Sequence, residues 1–106
     1  GMNDDKPLSR NGVPIRLTNE RWQHIIDEHA ELADLRAVVV ATIGESEQVL
    51  RGTAGELLAV RLMEPGKAMV VVYRETDSDD GFVITAFVTR RLKSLEKRER
   101  LWPPQT

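Results

Sequence analysis

The chain has 106 residues, of which 41% are apolar and 30% are charged, and it contains no cysteine. This length accommodates one domain of ordinary size, and the lack of cysteine excludes a disulfide framework, a cysteine-ligated zinc site and a thiol nucleophile. No apolar run is longer than the six residues of 68–73, far short of the roughly 20 residues that a membrane-spanning helix needs. Residues 2–20 also lack the apolar segment of a signal peptide, so we expect a cytoplasmic protein without membrane contact.

Charge is unevenly distributed along the chain. The formal net charge is −2, but residues 90–100 carry +4 and the remainder carries −6. A basic segment on an acidic body could bind nucleic acid or an acidic protein, and a solvated helix face is an equally good interpretation. The negative total argues against strong non-specific binding of nucleic acid, because neutralisation of phosphates supplies most of that affinity.

The ends of the chain are polar and rich in turn residues. Residues 1–14 are predicted to be a flexible leader, because Pro7, Gly12 and Pro14 interrupt a polar segment, and Gly1 resembles the remnant of an expression tag. We therefore predict one domain over residues 15–102, followed by a tail over residues 103–106.

The first helix is predicted from a capping residue and an apolar stripe. Thr18 offers an N-cap hydroxyl, and Trp22, Ile25, Ile26 and His29 then share one helical face. A short extended segment is expected immediately before this helix.

A second helix is predicted from an N-cap at Asp34 to the residue before Gly44, because glycine commonly follows the last residue of a helix. The β-branched run over residues 38–40 is also compatible with a strand.

The second half of the chain changes to the period of β-strands. Strands are predicted over residues 56–63, 68–74 and 82–88, with turns over 64–67 and 76–81, a short edge strand over 49–51, and a C-terminal helix or turn containing Leu92, Leu95 and Trp102. Helices followed by strands predict an α+β fold, in which two N-terminal helices pack on one face of a three- to five-stranded antiparallel sheet.

The turn over residues 64–67 predicts a strand register. If it places Met63 opposite Ala68, then Arg61 lies opposite Val70 and shares a face with Arg74. The other face is more apolar and should pack against the helices. We expect Trp22, Ile25 and Ile26 to be buried there against Leu58, Val60, Val71 and Ile84.

The third strand is expected to place Thr85 on the face of Arg61 and Arg74. Two guanidinium groups and a hydroxyl on an open sheet face would form a site for an anion such as phosphate. A solvated face with scattered polar residues is the alternative, and a register slip of one residue would move Thr85 to the other side.

Two histidines lie on the first predicted helix. His29 is in the apolar stripe, where a hydrogen-bonded core residue is more common than a catalyst. His24 has Arg21 and Glu28 as helical neighbours, so it could be a base with an orienting carboxylate or a surface residue. The two histidines are five positions apart and diverge by about 140° around a helix, and no zinc- or nucleotide-binding motif is present, so no metal or cofactor is predicted.

Two segments resemble a known superfamily. Residues 21–32, RWQHIIDEHAEL, resemble the pattern RWxHIxxxHPEL, and residues 81–87, GFVITAF, resemble a GFxITA strand that follows an apolar strand ending in tyrosine. Both patterns are typical of small bacterial and phage-associated domains in the barnase–EndoU–colicin–RelE-like (BECR) superfamily of metal-independent ribonucleases and toxins. The chain departs from the first pattern at Ala30, where proline is usual.

The resemblance implies a barnase/RelE-like fold and an endoribonuclease in which the ribose 2′-OH attacks the adjacent phosphate. That chemistry needs a proton acceptor, a proton donor and cations around the phosphorus. The candidate catalytic residues are His24, His29, Arg61, Arg74 and Thr85, and the candidate RNA-binding residues are Arg21, Tyr73 and Lys93. The histidines and the arginines can belong to one site only if the helix end reaches around a sheet edge or the predicted register is wrong.

Two other functions remain open at this point. The chain could be a non-catalytic protein-binding module of a phage or mobile element, and it could be a plain RNA-binding domain. A toxin would imply a cognate antitoxin or immunity protein as a partner.

Overall fold

The computed structural model describes residues 4–105, which form an α+β fold as predicted. The helices are α1 (Asn19–Glu28), α2 (Arg36–Glu45) and α3 (Leu92–Glu96), and a 3₁₀ helix (Ala30–Leu32) follows α1. The strands are β1 (Ile15–Arg16), β2 (Gln48–Arg51), β3 (Leu57–Glu64), β4 (Lys67–Glu75), β5 (Gly81–Thr89) and β6 (Arg100–Trp102). The tag remnant predicted at Gly1 and the last residue of the tail, Thr106, lie outside the described residues. No helix within residues 4–105 has the length and apolar character needed to cross a membrane.

The six strands form one mixed sheet in the order β1-β5-β4-β3-β2-β6. Strand β1 runs parallel to β5, and the other neighbours are antiparallel. The prediction of three to five strands, all antiparallel, is therefore wrong in both respects. The segment predicted as an edge strand, β2, lies between β3 and β6, because the chain after α3 returns as a strand to cover it.

Helix α1 begins as its capping residue predicts. The Thr18 hydroxyl accepts a hydrogen bond from the Arg21 amide at 3.1 Å, which satisfies one of the unpaired donors at a helix start. Trp22 and Ile25 are 6% and 2% exposed, so the apolar stripe faces the core. The helix ends at Glu28, and His29 caps it with its amide bonded to the Ile25 carbonyl.

Helix α2 begins and ends later than predicted. Its N-cap is Leu35 rather than Asp34, and the helix continues through Gly44 to end before Ser46. Gly44 does not take the positive φ of a terminating glycine. The buried side chains of Val39 and Ile43 hold the last turns against the sheet, so packing outweighs the local signal. The strand alternative for residues 38–40 is excluded.

A bulge shifts the β3–β4 register by one residue from the prediction. The turn itself is as predicted, with Glu64 opposite Lys67, but a bulge between Leu62 and Glu64 places Arg61 opposite Met69 rather than Val70. Because side chains alternate along a strand, this shift moves Arg61 to the face that packs against α1 and α2.

Different helices pack on the two faces of the sheet. The face toward α1 and α2 holds Ala59, Met69, Val71, Tyr73, Val83 and Ala86, which pack with Trp22, Ile25, Val39 and Ile43. The second face holds Leu50, Leu58, Val60, Ala68 and Val70, with Leu92 and Leu95 of α3 packed against them. As expected, Val71 belongs to the same buried cluster as Trp22 and Ile25, whereas Leu58 and Val60 belong to the second face.

The N-terminal segment before β1 is packed, and the prediction of a flexible leader is wrong for the part described. Val13 is 5% exposed in the core, and the Ser9 hydroxyl donates to the Glu75 carboxylate. The Arg10 guanidinium lies 4.1 Å from the Trp102 ring centre. Its prolines and glycine therefore shape a folded turn rather than a loose chain.

Candidate functional site

The second face of the sheet brings together two of the predicted catalytic residues. Thr85 lies opposite Val72, and Arg74 lies opposite Phe82. A bulge between Val72 and Tyr73 leaves Ile84 unpaired in β5. Thr85 and Arg74 are both half-buried, and an Arg74 Nη donates to the Ala54 carbonyl at 2.7 Å. One guanidinium and one hydroxyl therefore border the same part of the sheet.

Arg61 does not share this surface. It lies beside α2, where its Nη is 3.7 Å from the Glu45 carboxylate, and it lines a groove with Ala41 and Met69. The predicted cluster of Arg61, Arg74 and Thr85 is therefore wrong, because the β3–β4 bulge turns Arg61 to the opposite face.

His29 reaches the second face around the edge of the sheet. Strand β1 pairs with β5 only at Gly81 and Phe82, so the rest of β5 forms an edge beside α1. The imidazole ring centre of His29 lies 6.5 Å from the ring centre of Phe87, which is opposite Val70 and therefore on the second face.

His29 also has a carboxylate neighbour. Its Nδ1 lies 3.7 Å from the Glu31 carboxylate, and 31% of the His29 side chain is exposed. A half-exposed imidazole beside a carboxylate has the parts needed to transfer a proton to or from a bound molecule.

His24 and Arg21 lie apart from this surface. His24 is exposed and Arg21 is half-buried, and they line a shallow depression with Thr18 and Glu20 at the beginning of α1. Lys93 is exposed on α3. Within residues 4–105, no hydrogen bond, ion pair or ring contact joins these three residues to His29 or Phe87.

Tyr73 cannot contact a substrate in this structure, contrary to the prediction. It is fully buried on the face that packs against α1 and α2. Its hydroxyl has no hydrogen-bond partner within residues 4–105. Burial raises the pKa of the Tyr73 phenol, because a phenolate would be poorly solvated there.

Two half-buried aromatic rings, those of Phe82 and Phe87, lie on the second face. Phe82 and Phe87 are five positions apart, which in a regular strand places them on opposite sides. The unpaired residue in β5, Ile84, brings both rings to one face. Nothing in the local sequence marks this bulge.

Cations and one carboxylate surround this face. Arg100 lies opposite Leu50, at the β6 edge of the sheet. The Arg98 guanidinium donates a hydrogen bond to the Arg51 carbonyl. The amides of Ala54 and Glu56, and then the charges of Arg74 and Arg98, hold the pKa of Glu56 below its usual value. The sequence indicated Arg98 and Arg100 only through the basic composition of residues 90–100.

The described residues contain no cluster of three or more histidine, cysteine or acidic side chains that could hold a metal ion. Comparisons with known proteins give no match, whether to a family model, a curated protein or a solved structure. The site therefore rests on its own geometry: an imidazole at a sheet edge, and a guanidinium, a hydroxyl and two aromatic rings on the face beside it.

Proposed function

We propose that the chain is a metal-independent endoribonuclease of the toxin type that binds RNA on the second face of the sheet. The position of His29 carries this proposal, because the histidine at the end of α1 reaches the edge of the face that holds Arg74 and Thr85. A proton-transfer group, a phosphate-binding cation and a hydroxyl donor thus adjoin one surface.

The proposed reaction is cleavage by the neighbouring hydroxyl. The ribose 2′-oxygen bonds to phosphorus, the bond from phosphorus to the 5′-oxygen breaks, and the products are a 2′,3′-cyclic phosphate and a 5′-hydroxyl. Two protons move: one leaves the 2′-hydroxyl and one reaches the 5′-oxygen. His29, with Glu31 orienting its ring, makes one of these transfers and water makes the other. Arg74 stabilises the negative charge that grows on the phosphate oxygens, and Thr85 donates a hydrogen bond to the same group.

The aromatic rings favour single-stranded RNA as the substrate. Bases stack on exposed aromatic side chains only when they are unpaired and turned outward. Phe82 and Phe87 lie opposite Arg74 and Val70, four residues apart on β4, which is about 13 Å at roughly 3.3 Å per residue, so each ring can stack on a separate unpaired base. Arg98 and Arg100 then offer cations for flanking phosphates.

The sequence resemblance supports the same location. The two segments that resemble the BECR superfamily are residues 21–32 and residues 81–87. They contribute α1 with His29 and the first part of β5, and these two elements meet at the contact of His29 with Phe87.

The test is a pair of histidine variants, His29→Gln and His24→Gln, assayed on single-stranded RNA with a metal chelator present. We expect wild-type protein to release cyclic-phosphate ends, His29→Gln to lose about 10²–10⁴-fold in rate, and His24→Gln to retain most of it. Loss in His24→Gln alone would contradict the proposed site. Wild-type protein that binds the RNA and never cleaves it would contradict the nuclease and favour a non-catalytic RNA-binding module.

A further inference from the structure

Leu62 marks a place where the sheet has an unpaired edge. Strand β2 stops pairing with β3 at Val60, so within residues 4–105 the end of β3 has no strand on that side. The Leu62 amide donates instead to the side-chain carboxylate of Glu47. Leu62 is 49% exposed.

A groove lies beside Leu62, between β3 and α3. We call it the Leu62 groove, and it has a volume of about 260 Å³. Its apolar floor consists of Val60, Leu62, Leu92 and Leu95. The exposed carboxylates of Glu47 and Glu96 lie on its rim, and the described lining contains no basic side chain. The groove therefore suits an apolar side chain that is preceded or followed by a lysine or an arginine.

The chain itself carries a segment with this chemistry. Leu8 is 58% exposed and is the other large apolar side chain left exposed within residues 4–105. Lys6, two positions earlier, is exposed as well. The segment is held in shape because the Pro7 carbonyl accepts a hydrogen bond from the Ile15 amide at 2.9 Å, so little conformational entropy is lost when it docks.

We propose that the chain self-associates by inserting Leu8 of one copy into the Leu62 groove of a second copy, with Lys6 against the carboxylates of Glu47 and Glu96. The two surfaces differ from each other, so the contact is heterologous unless a two-fold axis repeats it. One leucine and one ion pair bury little area, and contacts of this size are weak and transient. The proposal does not depend on the nuclease function.

The experiment is sedimentation velocity at low salt over a range from about 10 µM to about 1 mM protein, where weak interfaces become populated. We expect the sedimentation coefficient of the wild-type protein to rise with concentration. Leu8→Ser and Leu62→Ser should each abolish most of this rise, whereas Ala37→Ser, an exposed apolar position on α2, should leave it unchanged.

Mixing the two deficient variants tests the pairing itself. Leu8→Ser retains an intact groove and Leu62→Ser retains an intact Leu8, so an equimolar mixture should associate again although neither variant does so alone. A wild-type protein that stays monomeric throughout, a mixture that stays monomeric, or full association by Leu8→Ser alone would each overturn the proposal.

Discussion

Arg61 and Arg74 interrupt two apolar strands in the same manner, yet they lie on opposite faces of the sheet. The difference comes from one bulged residue between Leu62 and Glu64. Arg61 pairs loosely with Glu45 beside α2, whereas Arg74 lies on the face that His29 adjoins. Two residues of identical chemistry therefore receive different expected roles from backbone geometry alone.

Substitution of each arginine by glutamine tests this difference. Arg74→Gln should lower RNA cleavage by about 10²–10³-fold, the usual loss when one group that stabilises transition-state charge is removed. Arg61→Gln should retain most of the activity. Both variants should keep a free energy of unfolding within about 1 kcal/mol of wild type, because surface cations contribute little to folding. Equal losses of activity in the two variants would contradict the assignment.

Tyr73 is the only tyrosine of the chain, which makes its burial directly measurable. Burial raises the pKa of its phenol, so the unfolded state loses this proton first as the pH rises above about 10. The stability that depends on the neutral phenol is therefore present below that pH and decreases above it. We expect tyrosinate absorbance to appear together with unfolding.

The variant Tyr73→Phe provides the companion measurement. The hydroxyl lacks a hydrogen-bond partner within residues 4–105, so its removal should change the free energy of unfolding by less than about 1 kcal/mol and leave cleavage intact. Tyrosinate formation in the folded protein near pH 10, or loss of activity in this variant, would contradict the buried position.

At the scale of elements, short sequence motifs correctly predicted the features that depend only on neighbouring residues, namely a helix cap and a turn. Thr18 caps α1, and Pro65 with Gly66 forms the predicted turn, where Gly66 has a φ of +80°. The bulges at β3 and β5 depend on long-range pairing and packing, which no short motif encodes. The candidate site was therefore predicted in part: Arg74 and Thr85 lie on one face of the sheet as expected, whereas Arg61, whose face depends on the register, lies on the other.

Substitution of two glycines by alanine should change the stability of the protein in opposite directions. Gly44 lies inside α2, and an added Cβ would make an ordinary contact of 3.4 Å with the Leu8 carbonyl oxygen. Gly44→Ala should therefore stabilise the protein, by up to about 1 kcal/mol, through its helix propensity.

Gly81 begins β5 and has no space for a side chain. A Cβ there would clash with the Arg74 carbonyl oxygen and with the Ile15 side chain. Gly81→Ala should destabilise the protein by about 1–3 kcal/mol, measured by chemical denaturation beside Gly44→Ala. If Gly44→Ala were the more destabilising of the two, α2 would end before Gly44 after all.

At the scale of the whole molecule, the N-terminal segment links distant parts of the chain. Ser9 binds Glu75 at the end of β4, and Arg10 lies on Trp102 of the last strand. The loop before β5 carries part of the acidic charge that lies outside residues 90–100. That loop is attached to β1 by an ion pair between Arg16 and Asp80 at 2.9 Å.

The ion pair predicts a pH-dependent contribution to stability. The hydrogen bond from Arg16 holds the pKa of Asp80 below its usual value, so the contribution is complete above the unfolded pKa of about 4 and is lost as the pH falls through the lowered folded pKa. Asp80→Asn should lower the Tm at pH 7, and the difference from wild type should shrink at strongly acidic pH. Asp79→Asn serves as the control, because Asp79 is outside the ion pair. A difference that is independent of pH would contradict this assignment.

The central claim is that RNA binds on the second face of the sheet, and mapping the residues that RNA contacts tests it most directly. Amide chemical shifts of the labelled protein should be followed by NMR during titration with a short single-stranded oligonucleotide that lacks the attacking 2′-hydroxyl. The account predicts shifts at His29, Arg74, Thr85 and Phe87, and none at Ala41 of α2. Shifts confined to α2 and its groove with Arg61, or no shifts at all at concentrations up to about 1 mM, well above the usual range for non-specific binding, would contradict it.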